Sequence, residues 1–251
     1  MEIFEQIPAL KEKGTPAVLA TVVEVSGSGP GRPCAKMLVK GDGSILGTIG
    51  GGAIEKKIIE EALLLMHSGE PKLVHCNLED IGMACGGAMS VFLEPLKHAP
   101  DLIVFGAGHI GSALSRIGKM LDFTVTVIDN RAEFANKEKL AWADKVIAEE
   151  YKIALENIVF SDNTFVVILT HRHVHDYEIL EHCVMQSFKY LGMIGSRNKV
   201  SKCFQQLREK GIDDEILNRI HAPIGIRIGG NTPSEIAVSI AAELVAVRSG
   251  T

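Results

Sequence analysis

Apolar residues recur at helical spacing at the start of the chain, at Ile3, Ile7 and Leu10, until Gly14-Thr15-Pro16 interrupts them. That spacing predicts a short helix over the first twelve residues. The period then shortens. Residues 17–25 and 37–39 are β-branched and apolar, and the turn-forming run Lys40-Gly41-Asp42-Gly43-Ser44 separates the second of them from Ile45, which predicts a small sheet with a hairpin. From Ala53 to Leu63 helical spacing returns, entered through Thr48-Ile49-Gly50-Gly51-Gly52 and closed before Gly69-Glu70-Pro71. Two more strands are expected at 72–76 and 89–93, on either side of the loop Gly82-Met83-Ala84-Cys85-Gly86-Gly87. Residues 1–97 thus read as a small N-terminal α+β domain.

After the linker Lys97-His98-Ala99-Pro100 the pattern changes to strands alternating with helices, the signature of an α/β domain with a mainly parallel sheet. Strands are predicted at 102–105, 124–128, 146–148, 165–169 and 190–194, and helices at 109–121, about 176–188, 197–210 and 233–247. The last helix has a strong entry signal: Thr232-Pro233-Ser234-Glu235 sets an N-cap, a proline at the first helical position and a capping-box glutamate in order. Gly229, Gly230 and Asn231 just before it fit either plain capping or ligand contact.

The turn after the first of these strands reads Gly106-Ala107-Gly108-His109-Ile110-Gly111, a complete G-x-G-x-x-G fingerprint. It follows an apolar strand, opens a helix, and is succeeded by Asp129 at the end of the next strand, 18 positions after Gly111. In that context Gly106 permits the tight turn, Gly108 admits a pyrophosphate to backbone N–H groups, and Gly111 lets helix and strand pack closely. The expectation for 98–251 is therefore a Rossmann-type, doubly wound domain. Asp129 is placed to accept hydrogen bonds from a ribose diol, and Arg131 to neutralise a 2′-phosphate, which leaves NAD and NADP both open.

Other segments offer chemistry beside a structural reading. Gly50-Gly51-Gly52 before a helix suits either phosphate binding by successive N–H groups or a conformationally demanding turn. Ser196 and Arg197, in Gly192-Met193-Ile194-Gly195-Ser196-Arg197, suit either an anion site or helix capping. In Thr170-His171-Arg172-His173-Val174-His175-Asp176 the residue order is wrong for a metallo-hydrolase cradle, so no metal site is assigned. His171 and His173 are instead candidates for ligand contact at the carboxyl edge of the sheet, against a solvated loop capped by Asp176. Cys85, among glycines, is either an accessible thiol that meets a cofactor or a buried structural residue.

Composition narrows the function classes. The 251 residues are 46% hydrophobic and 23% charged, ample for two ordinary cores. A net charge of −5 argues against nucleic acid and anionic membranes as partners. Neither a membrane-spanning run nor a signal-peptide layout is found, and the reading is cytoplasmic. Five cysteines without a C-x-x-C pair argue against a disulfide framework or a zinc knuckle.

Several motifs in order, Ser26-Gly27-Ser28-Gly29-Pro30, Gly47 to Glu55, Met83-Ala84-Cys85-Gly86-Gly87, Tyr190 to Arg197, and His221 to Gly225 through Thr232 to Ala237, resemble the xanthine dehydrogenase accessory protein family over nearly the whole chain. The resemblance implies a maturation factor with a small N-terminal and a C-terminal Rossmann domain, often a homodimer. It implies that the factor binds the molybdenum cofactor (molybdopterin), protects it while a cysteine desulfurase exchanges its oxo ligand for sulfur, and delivers it to xanthine dehydrogenase or a related molybdenum hydroxylase. One position departs from the family pattern: a glycine is expected where this chain has Cys34. The cofactor-binding expectation covers Gly50, Gly51, Gly52, Cys85, Gly106, Gly108, His109, Gly111, Asp129, Arg131, His171, His173, Ser196 and Arg197, the glycine loops of both domains converging on one pocket.

A rival reading is an NAD(P)-dependent oxidoreductase, for which His109, His171 and His173 are the candidate proton-transfer groups. A Tyr-x-x-x-Lys or comparable catalytic pair is missing, which weighs against it.

Overall fold

The computed structural model describes residues 3–12, 14–80, 82, 87–96, 99–171 and 174–251. The chain divides into two compact units, Met1–His98 and Ala99–Thr251.

The first unit holds helix α1 (Ile3–Glu12), strands β1 (Ala17–Ser26), β2 (Lys36–Lys40) and β3 (Ile45–Gly47), helix α2 (Gly52–Ser68), and strands β4 (Lys72–Asn77) and β5 (Ala88–Pro95). The sheet is antiparallel throughout, in the order β3-β2-β1-β5-β4. Alternate residues of β1 point to opposite faces, so Val18, Ala20 and Val22 join Ile54, Ile58, Ala62 and Leu65 of α2 in one core. Ala17 and Leu19 pack on the other face with Leu38, Leu96 and Leu10 of α1. The predicted hairpin is present: Gly43 N–H donates to Lys40 O at 2.8 Å, and the Asp42 carboxylate accepts from Ser44 N–H at 2.9 Å, an Asx-type turn between β2 and β3. Gly69 ends α2 in the left-handed conformation, its N–H bonded to Leu65 O.

At Cys34, where the resemblance leads one to expect glycine, the backbone takes a conformation that glycine favours. Its φ is +69°, in the left-handed region where a side chain is strained and glycine is not. Its N–H donates to Val22 O at 2.8 Å, beside the irregularity between Val22 and Glu24 in the β1–β5 register.

The second unit runs β6 (Asp101–Phe105), α3 (His109–Met120), β7 (Thr124–Ile128), β8 (Lys145–Ile147), α4 (Tyr151–Glu156), β9 (Thr164–Ile168), α5 (Asp176–Cys183), β10 (Tyr190–Met193), α6 (Arg197–Glu209), α7 (Asp214–Leu217), β11 (Ile220–His221) and α8 (Pro233–Ser249). Its six strands are all parallel, in the order β11-β10-β9-β6-β7-β8. Counted within the unit this is 3-2-1-4-5-6 read from the β8 edge, the doubly wound Rossmann order. Because both faces are covered, the strands are continuous apolar runs and not alternating ones. Leu102, Val104, Val125 and Val127 pack with Leu114 of α3 and Ile240 and Leu244 of α8. Ile103, Phe105, Val166 and Ile168 pack with Tyr151, Ile179, Val200 and Leu207 from α4, α5 and α6 on the other face.

Three short elements, α4, α7 and β11, lie outside the sequence expectation, and α5 is shorter than expected. It ends at Cys183, beyond which turn hydrogen bonds from Val184 and Gln186 carry the chain to Phe188, buried in the core of that face. Among the described residues, no helix is long and apolar enough to cross a membrane.

Candidate ligand cleft

The order of the parallel sheet reverses between β6 and β9, and a crevice opens at the carboxyl ends of strands at such a point. A cleft of about 390 Å³ lies there. Its walls are Gly108, His109, Ile110 and Gly111 from the first turn of α3, Arg131 and Phe134 past β7, Leu169, Thr170 and His171 past β9, and Pro233 at the start of α8.

The fingerprint glycines serve different ends. Gly106 has φ +121°, and a Cβ there would come within 2.3 Å of Leu169 O, so the turn passes too close to the end of β9 for any side chain. A Cβ on Gly111 would fall 1.9 Å from Gly106 O, so close packing of α3 on its own turn requires glycine. Gly108 differs from both: its φ of −67° suits any residue, and a Cβ there would meet nothing within 4 Å. Its missing side chain keeps the cleft open at the N-terminus of α3, where no side chain caps the helix.

Asp129 is fully buried just past β7, and its carboxylate is saturated. Oδ1 accepts from Arg131 N–H at 3.0 Å and from Arg131 Nε at 2.8 Å; Oδ2 accepts from Ala107 N–H at 2.8 Å and from Arg131 Nη2 at 2.7 Å. Burial by itself would raise the Asp129 pKa, but the Arg131 fork and the two backbone N–H groups outweigh it and hold the carboxyl below the usual range. The same fork raises the Arg131 pKa. The guanidinium also lies 4.2 Å above the Phe134 ring, which fixes its plane. Asp129 is thus buried and not among the cleft walls; it grips Arg131, where the sequence reading gave it a ribose diol.

A second buried carboxylate braces the β9 side. Asp176, the first residue of α5, accepts from Thr170 N–H at 3.1 Å, from the Thr170 hydroxyl and from Lys199 Nζ. Lys199 Nζ also reaches Ile194 O at 3.4 Å, tying the ends of β9 and β10 together behind the cleft wall. His171 and His109 are exposed on the cleft. Tyr151, buried at 2% exposure, leaves its Oη without a hydrogen-bond partner among the described residues. Burial and then the nearby Asp129 charge push its pKa well up, so it keeps its proton.

Ser196 caps α6, accepting from Lys199 N–H at 3.3 Å, and with the exposed Arg197 it is not among the cleft walls. In the first unit Gly50, Gly51 and Gly52 all have positive φ, of +138°, +76° and +65°. The donors of this loop face inward: Glu55 Oε1 accepts from Thr48 Oγ1 at 2.5 Å, Ile49 N–H at 3.1 Å and Gly51 N–H at 3.0 Å. The loop is a demanding turn filled by its own carboxylate, whose pKa these bonds lower against the opposing effect of burial. Cys85 and His173 lie outside the described residues. Among the described residues no three His, Cys, Asp or Glu side chains converge as metal ligands.

Sequence reasoning missed Phe134, Leu169, Thr170 and Pro233 as cleft walls and Lys199 as a brace. The position of Thr170 one residue past a predicted strand end was the available signal; Phe134 and Lys199 had none, since their roles depend on side-chain direction.

The fold is that of a Rossmann-type protein with an added antiparallel unit, and the cleft lies where that fold reverses its strand order. The family model for the XdhC Rossmann domain matches residues 102–244, and that for the XdhC and CoxI family matches residues 10–77. The chain belongs to the XdhC family. It is 39% identical to the Escherichia coli protein YqeB across 99% of this chain and 47% of that protein. It is 28% identical to a Bacillus subtilis protein described as a probable xanthine dehydrogenase subunit, over 63% of this chain and 46% of the relative. The chain therefore spans about half the length of these two relatives. Identity to the E. coli molybdenum cofactor insertion chaperone PaoD is 27%, over 94% of this chain and 84% of PaoD. A crystal structure of a Bacillus halodurans protein described as a xanthine dehydrogenase matches with a TM-score of 0.54 at 22% identity, covering 100% of this chain and 96% of that one, which supports the fold alone.

Proposed function

We propose that this chain is a molybdenum cofactor accessory protein that binds the cofactor in the cleft between the ends of β6 and β9, protects it, supports its sulfuration by a cysteine desulfurase, and delivers it to xanthine dehydrogenase or a related molybdenum hydroxylase. The observation that carries the reading is the cleft itself, a ligand-sized crevice at the switch point of a domain of the XdhC family. The name of the relative PaoD, an insertion chaperone for that cofactor, supports the choice of ligand.

The residues present fit the group. The pyranopterin carries a phosphate, and the uncapped first turn of α3 with the bare Gly108 offers it backbone N–H donors and room. Arg131 stands on the same cleft with its plane fixed by Phe134 and Asp129. Bound there, the molybdenum centre supplies redox chemistry that the client enzyme uses; the chain's own task is to hold the phosphate end and limit solvent access. Action as a homodimer in the cytoplasm belongs to this proposal as well.

The oxidoreductase reading keeps one favourable observation, the complete fingerprint with His109 and His171 exposed on the cleft. A retention experiment decides between the two. The purified chain is incubated with molybdenum cofactor or with NAD or NADP and passed through gel filtration, and the pterin is expected to travel with the protein. Retention of a dinucleotide with none of the pterin would overturn the proposal.

A further inference from the structure

In a dinucleotide-binding fold the carboxylate at the end of the second strand accepts hydrogen bonds from a ribose diol. Asp129 occupies that position, but a carboxylate has about four acceptor sites and here four N–H groups already fill them, two on each oxygen. Of Asp129 and Arg131, it is Arg131 that lines the cleft. Its Nε and Nη2 are committed to Asp129, its face lies on Phe134, and among the described residues Nη1 donates no hydrogen bond. The Asp129–Arg131 pair therefore offers a ligand donors and no free carboxylate acceptor site.

We infer that Arg131, held by Asp129 and Phe134, makes the cleft select a ligand ending in a phosphomonoester over one presenting a free ribose diol. The inference rests on the reading of this cleft as the ligand site. A phosphate oxygen paired with a fixed guanidinium N–H is a charge-assisted bond, whereas a diol at the same place finds no free carboxylate acceptor. The phosphomonoester is shared by the side chain of a pterin cofactor and the 2′-phosphate of a nucleotide, so a pair of nucleotides differing only in that group isolates the effect.

The test is calorimetric titration of the full chain with NADP and with NAD. NADP is expected to bind at least about tenfold tighter, the range of one charge-assisted hydrogen bond. Arg131→Met leaves Asp129 buried without its partner and endangers the fold, so the double variant Asp129→Asn/Arg131→Met is measured beside it. In the double variant the preference is expected to shrink to about twofold or less, while Arg208→Met, at an exposed ion pair on α6, retains it. Equal affinity for the two nucleotides, tighter binding of NAD, no binding of either at millimolar concentration, or an undiminished preference in the double variant would each overturn the inference. Loss of pterin retention by the unaltered chain, with the NADP preference intact, would instead count against the proposed function and leave Arg131 as the selecting residue.

Discussion

Gly108 and Gly111 lie three residues apart in one turn, yet the chain's own packing demands only the second. Gly111→Ala must push a methyl group against Gly106 O, and the turn or helix α3 has to shift. A loss of about 2–4 kcal/mol in urea unfolding is expected, in the range of severe overpacking. Gly108→Ala meets no neighbour and has an ordinary φ, so stability is expected to change by less than about 1 kcal/mol. Ligand retention should nonetheless fall by about tenfold or more, because the methyl group enters the cleft where N–H donors are presented. A stable Gly108→Ala chain that retains ligand fully would show that nothing approaches this turn. The three glycines and Asp129 were legible in the sequence because their spacing is a property of the backbone. The Asp129–Arg131 fork was not: residues two apart past a strand end have no fixed mutual direction, and the sequence could assign the arginine only to a ligand.

Long elements with a sustained period were readable, and short ones were not. Helices α2, α3, α6 and α8 and the central strands β6, β7 and β9 fall within a residue or two of their predicted positions. The six residues of α4 and the four of α7 span too few turns for a period to emerge, and β11 has only two residues. The loop before α2 shows the same limit in finer form. Three glycines before a helix fitted either an anion nest or a demanding turn, and the carboxylate that Ile49 and Gly51 N–H meet is Glu55, in the first turn of the helix itself. Glu55→Ala is expected to destabilise the chain by about 1–2 kcal/mol, the usual range for a lost N-terminal cap. Chemical denaturation checks it, and an unchanged midpoint would mean that the loop keeps its shape without the carboxylate.

Over the whole chain, carboxylates inside hydrogen-bond networks set the response to acid. Asp129, Asp144, Glu55 and Glu243 are each desolvated in a direction that raises the pKa, and each is brought below its ordinary value by the bonds it accepts. For Glu243 these come from His221, Tyr190 and Gly225, which join the end of β11 and the start of β10 to α8. A depressed folded-state pKa gives stability that is complete above the unfolded value and disappears as pH falls through the folded one. Melting temperature is therefore expected to hold from about pH 7 to pH 5 and to fall steeply below about pH 4. A melting temperature unchanged down to pH 3 would contradict these networks. The division of the molecule has a different kind of consequence. The polypeptide passes from the first unit to the second once, at His98–Ala99, and every described wall of the cleft comes from the later stretch. Ligand choice can therefore travel as a single cassette: one recombination point at the boundary between the two units exchanges every described wall of the cleft at once.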